Sequence, residues 1–175
     1  MLWVILFGLL ANLLGICFLG TLIPAIAETG KERSTIAIYI ATLTGELDRP
    51  LGPKLVVGLC NTGSTRAFVR RQLAAVAWSW CPLQAEIVDL QSGKPVGTRV
   101  LIKRAERPLK ESDFVELRPQ YCYGVVVDLR RDFVLEPGHD YSVQFSYSSK
   151  APKRVGKLVP WPGTVQSTKV VIKVH

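Results

Sequence analysis

From residue 35 to residue 174 the chain is written mostly in short runs where apolar and polar side chains alternate, broken by Gly, Pro, Asn and Ser. Period two sends successive side chains to opposite faces, so each run predicts a strand with one packed and one wetted side. The clearest is Leu135-Glu136-Pro137-Gly138-His139-Asp140-Tyr141-Ser142-Val143-Gln144-Phe145-Ser146-Tyr147. A Pro-Gly turn feeds a strand with Tyr141, Val143, Phe145 and Tyr147 on one face and Ser142, Gln144 and Ser146 on the other. Comparable runs predict strands over 35–43, 54–60, 66–73, 114–117, 121–129 and 164–174, with Ile36, Ile38 and Ile40, then Leu55, Val57 and Leu59, forming apolar stripes. Residues 85–90 and 96–103 read as a hairpin around Gln91-Ser92-Gly93-Lys94. Residues 74–83, with Trp78-Ser79-Trp80-Cys81-Pro82, fit either a strand end or an insertion capping the fold.

Turn signals fall about 8–12 residues apart, and no stretch beyond the first 27 residues carries a helical period. The expected architecture is all-β: an immunoglobulin-like antiparallel β-sandwich of about seven to nine strands with Greek-key connections. Leu-x-Pro-Gly-x-x-Tyr resembles the tyrosine corner of such sandwiches, where the phenol bonds backbone a few residues upstream.

Residues 2–27 contain no charge and are dominated by Leu, Ile, Phe, Val and Ala, ending Pro24-Ala25-Ile26-Ala27. Ala25-x-Ala27 is a small-x-small cleavage signal, so residues 1–27 are expected to be a signal peptide, 28–34 a linker, and 35–175 the folded domain. The run is also long enough to span a bilayer, which makes an uncleaved membrane anchor the alternative. Leu14-Gly15-Ile16-Cys17 carries a bulky Ile where a lipobox takes a small residue, so lipidation is set aside. Export makes the protein secreted or periplasmic, with a membrane contact only if the leader stays attached.

The 175 residues suffice for one domain with its own core. Lys and Arg number 22 against 14 Asp and Glu, a formal net charge of +8, all of it beyond the leader. Such a balance suits either solubility or long-range attraction to an anionic surface. Of the four cysteines, Cys17 lies in the leader; Cys60, Cys81 and Cys122 remain, allowing three alternative single bridges and always leaving a spare thiol. The antibody-type bridge is excluded, because Val143 occupies the place two residues after the corner tyrosine. Cys60 ends the second strand of a seven-strand sandwich and Cys122 starts the fifth. Those strands pair antiparallel in such folds, and each Cys lies opposite its strand's apolar stripe. Cys60–Cys122 is therefore a geometrically sound bridge, and three small, partly buried thiols are the alternative.

Little in the chain carries chemistry. His139 and His175 stand outside any metal-ligand spacing, His139 reading as a solvated turn residue, and no nucleophile elbow, phosphate loop or zinc motif occurs. Glu86, Asp89, Asp113, Glu116 and Asp128 could pair for glycoside hydrolysis only if the fold converged them. The expectation is a protein that is no enzyme, with no catalytic or metal site and no cofactor. Two basic connections are the stronger lead: Arg99, Lys103, Arg104, Arg107 and Lys110 in one, Lys150, Lys153, Arg154, Lys157 and Trp161 in the other. Cations and an aromatic on loops of a rigid sandwich suit recognition of a protein or anionic surface. Export argues against a nucleic-acid partner.

The runs Leu55-Val56-Val57-Gly58-Leu59-Cys60-Asn61-Thr62-Gly63, Glu86-Ile87-Val88-Asp89 and Leu135 to Val143 resemble the accessory β-sandwich of secreted aspzincin (deuterolysin-like) metalloendopeptidases. More distantly they are similar to bacterial proteinase-inhibitor domains of that fold. The resemblance covers most of the chain beyond the leader and includes no catalytic portion, so it implies a free-standing, non-catalytic domain and carries over no functional residue. A proteinase inhibitor and a membrane-anchored envelope component are the other classes in view.

Overall fold

A computed structural model describes residues 35–42, 54–73, 81–99 and 107–175. The leader and linker, most of the 74–83 segment, and Lys103 and Arg104 lie outside the described residues. Strict alternation turns into strict burial in β7 (Asp140–Ser148), whose Tyr141, Val143, Phe145 and Tyr147 are all buried while the residues between them are half-buried. Before it come β1 (Ile36–Thr42), β2 (Lys54–Asn61), β3 (Ala67–Arg70), β4 (Leu83–Asp89), β5 (Phe114–Leu117) and β6 (Cys122–Asp128). After it come β8 (Thr164–Gln166) and β9 (Val170–Lys173).

Every pairing between these strands is antiparallel. One sheet runs β1-β2-β6, a second runs β4-β7 with β8 and β9 both along the far side of β7, and β3 and β5 make a small third sheet. The apolar stripes predicted on β1 and β2 (Ile36, Ile38, Leu55, Val57, Leu59) belong to one core with those of β4 and β7. Each large apolar side chain removed from water there contributes roughly 1.5–3 kcal/mol. The chain is thus an all-β sandwich, and Lys54–Asn61 pairs with Cys122–Asp128 as the second and fifth strands of an immunoglobulin-like frame should.

The corner forms as the motif predicts. The Glu136 N–H donates to the Tyr141 hydroxyl at 2.7 Å, and that hydroxyl faces the Glu136 carbonyl at 3.3 Å. Gly138 takes φ +83 in the turn, a conformation that favours glycine.

Three expectations are corrected. The hairpin after β4 closes only its first rungs, with Asp89 N–H on Lys94 and Val96 N–H on Ile87; past Val96 the return arm leaves β4. It pairs instead with the segment after β6, Arg99 N–H donating to Asp132 and Val134 N–H to Gly97. The last strand is split: Ser146 faces Gln166 while Val143 faces Val170, so the last strand holds one more residue than β7 over that span. Ser167 fills this bulge, its hydroxyl accepting the Phe145 N–H at 2.9 Å. Finally, the run expected to stay extended to Leu129 turns into a one-turn helix α1 (Leu129–Asp132), because the Asp128 carboxylate caps it through the Arg130 N–H.

Cys60 and Cys122 form the disulfide. They are register partners on β2 and β6, on the outer face of the sheet. Asn61 N–H bonds the Tyr121 carbonyl, so the adjacent Cys60–Cys122 rung is the close, non-hydrogen-bonded kind. Among the described residues Cys81 is the cysteine outside the disulfide, buried, with its thiol donating to the Gln72 carbonyl at 3.7 Å.

Candidate functional site

The loop before β5 is folded by one carboxylate. Asp113 takes two hydrogen bonds from the Arg107 guanidinium, at 2.9 and 2.5 Å, and one from the Lys110 N–H at 2.8 Å. These donors, Arg107 first, hold its carboxyl down at about 2. Arg107 is therefore an ion-paired structural residue.

The long loop after β7 folds by its own turn. Val155 and Leu158 exchange backbone hydrogen bonds around Gly156, which sits at φ +57, and Trp161 N–H donates to the Phe68 carbonyl at 2.9 Å. The two loops then meet: the Lys157 N–H donates to the Glu111 carboxylate. Lys110, Lys150, Lys153, Arg154 and Lys157 are all exposed on this joined surface. Among the described residues, the side chains of Lys153, Arg154 and Lys157 have no ion pair or hydrogen bond, whereas Arg66 and Arg118 share Glu116 at 3.4 and 3.8 Å.

Two expected members do not join it. Trp161 is only 9% exposed, its ring stacked at 6.0 Å on Tyr147, because the indole closes the end of the core and leaves no face for a ligand. Arg99, on the return arm after β4, is held to the segment after β6, its Nε donating to the Phe133 carbonyl at 2.7 Å.

The opposite end of the sandwich gathers the titratable groups nearest the corner. His139 Nδ1 lies 3.1 Å from Asp89 and its Nε2 3.7 Å from Glu136, so the turn histidine is a half-buried brace between two carboxylates, not a solvated residue. Asp89 also accepts the Gln91 N–H and the Ser92 hydroxyl; Gln91 is the main cause of its lowered carboxyl pKa. Ser92 thus faces the acid and not the imidazole, and no Ser–His pair forms. Among the described residues no three His, Cys, Asp or Glu side chains converge as metal ligands, and no helix is long and apolar enough to cross a membrane.

Comparison with protein-family models and with curated proteins finds no match to this chain. The geometry of the loops and the disulfide therefore carry the functional reading.

Asn61 is the residue whose weight the sequence conceals. Fully buried at the end of β2, it donates its amide to the Thr65 and Leu117 carbonyls at 2.7 and 2.9 Å and accepts the Gly63 N–H at 3.1 Å. The Asn-Thr-Gly run signals the local Gly63 contact, an Asx turn, but nothing nearby signals Leu117.

Proposed function

We propose that the chain is an exported β-sandwich without chemistry of its own that binds a negatively charged surface through the joined loops at 107–113 and 149–160. The observation that carries this reading is the Lys157–Glu111 contact. It joins the loop of Lys110 to that of Lys153, Arg154 and Lys157, whose side chains are exposed and, among the described residues, carry no ion pair. Cations without an ion pair keep their field over about 8–10 Å in physiological salt, whereas Asp113 offsets Arg107 and the one Glu116 offsets a single charge of the Arg66 and Arg118 pair. A rigid scaffold beneath the loops reduces the ordering cost of binding. The disulfide fits an oxidising, extracellular-type compartment, which agrees with export.

Retention on a heparin column and binding to anionic against neutral vesicles test the proposal. Wild type is expected to be retained at low salt and released as salt rises. Combined K153E, R154E and K157E substitutions should abolish retention, while reversal of the partnered Arg66 should change it little. Equal retention of the triple variant would overturn the assignment to this surface.

A further inference from the structure

The chain enters the sandwich at its basic end. The Thr62 N–H donates to the Thr35 carbonyl at 2.8 Å, which seats the start of β1 beside the end of β2. From there Asn61 reaches the Leu117 carbonyl, Leu117 faces Ala67 across the small sheet, and the neighbouring Phe68 carbonyl takes the Trp161 N–H. That relay puts residue 35 at the end of the molecule from which the 149–160 loop projects. Ahead of it the sequence holds residues 28–34, whose Glu28 and Glu32 balance Lys31 and Arg33, and then the uncharged residues 2–27. Such a run exceeds an export h-region of about 7–15 residues and suffices to cross a bilayer.

Charge divides along the same axis. At the loop end the acids among the described residues are Glu111, Asp113 and Glu116. Arg66, Arg70, Arg71 and Arg118, on and beside the small sheet, already outnumber them before the lysines of the two loops are added. At the corner end Lys54, Arg99, Arg130 and Arg131 stand with Asp128 and Asp132, while Lys94 and Lys173 stand with Asp89, Glu136 and Asp140, so that end is close to balance. Val159 adds an apolar point to the basic end: it is 58% exposed, two residues from Lys157, and is held out by the buried Pro160 and Trp161 behind it.

We infer that the apolar leader is retained and that the basic end lies on the headgroups of the membrane holding it, so that the negatively charged surface is anionic lipid; this rests on the loop reading above. Residues 28–34 let Thr35 stand at most about 25–30 Å from the bilayer. β7, with its nine residues, is roughly 30 Å long, so the corner end is a further strand length away when the loops point down. A tether of that reach lets the domain turn over, and the charge difference between its ends sets which one faces the lipid. Val159 then enters the boundary between headgroups and acyl chains, with Lys153, Arg154 and Lys157 on the phosphates around it. Lys31 and Arg33 run against the usual cytoplasmic bias of cations beside a membrane span. The Cys60–Cys122 bridge decides the side, because it fits an oxidising compartment.

Amine-reactive footprinting of the full chain in nanodiscs tests this, comparing phosphatidylcholine alone with phosphatidylcholine plus phosphatidylglycerol. Lys153 and Lys157 are expected to react about fivefold more slowly in the anionic discs, while Lys94 and Lys173 at the corner end keep their rates. Val159→Ser should weaken that protection and leave retention on heparin unchanged. Equal rates in the two kinds of disc, with heparin retention intact, would overturn the lipid assignment and leave a soluble polyanion or an acidic protein as the partner. A wild type that heparin also fails to retain would sink the basic surface itself. An intact mass beginning at Glu28, for protein recovered from cells, would overturn retention of the leader.

Discussion

Tyr141 and Tyr147 sit on the same face of β7, both buried, and each binds a backbone N–H through its hydroxyl. At the corner end the donor is Glu136, five residues upstream; at the other end it is Arg70, 77 residues away, on β3. The corner phenol therefore stabilises a local turn, whereas Tyr147 ties β7 to an element of a different sheet. The same division runs through much of the molecule. The end near Tyr147 is held by Asn61 to Leu117, Trp161 to Phe68, Glu111 to Lys157 and the Cys60–Cys122 bridge. The loops proposed to bind are fastened to that long-range framework, and their shape depends on it.

Breaking the disulfide should weaken that end most. With its cysteines separated by 62 positions in sequence, the bridge restricts the unfolded chain by about 4 kcal/mol in the loop-entropy treatment. Cys60→Ser with Cys122→Ser should lower the urea midpoint accordingly, and an unchanged midpoint would show that the β2–β6 ladder needs no bridge. Asn61→Ala should follow at about 2–3 kcal/mol, since it leaves the Leu117 and Thr65 carbonyls without their donor. A loss below about 0.5 kcal/mol would mean that water replaces the amide.

The smallest effect separates the two phenols directly. Tyr141→Phe and Tyr147→Phe should each cost about 1 kcal/mol near neutral pH, and Tyr147→Phe should in addition alter the alkaline limb. Burial pushes the Tyr147 phenol up to about 12, against 10 for an open tyrosine. The unfolded chain therefore releases this proton first, so stability is unaffected below about pH 10 and falls between about pH 10 and 12. Thermal melts across that window should show a shallower decline in Tyr147→Phe than in wild type. Equal declines would place the phenol in a wetter setting than the structure does.

Much of the fold was legible because its signals are local. Alternation from Tyr141 to Tyr147 named the buried face residue by residue, and Pro137-Gly138 with Tyr141 specified the corner. Cys60 and Cys122 each stood on the outer side of its strand by parity, so antiparallel pairing was enough to bring them opposite. Less was legible where a distant segment competes for a backbone group. The return arm after Pro95 resembles an ordinary hairpin strand until the 132–134 segment offers it better partners. The last strand reads as continuous until Ser167 is needed to fill the bulge against Phe145. Trp161 resembles a ligand-binding aromatic until the stack on Tyr147 draws it inward.

Taken alone, the order of residues determined the two-faced strands, the tyrosine corner, the side of the sheet on which each cysteine stands and the presence of two basic loops. These follow from sterics, parity and hydrogen bonds reaching only a few positions along the chain. Tertiary structure decided that Lys157 meets Glu111 and that Arg107 is neutralised by Asp113 while, among the described residues, the side chains of Lys153 and Arg154 have no ion pair. Those outcomes depend on strand order and on which loops close over which end, and no short stretch of residues contains that information.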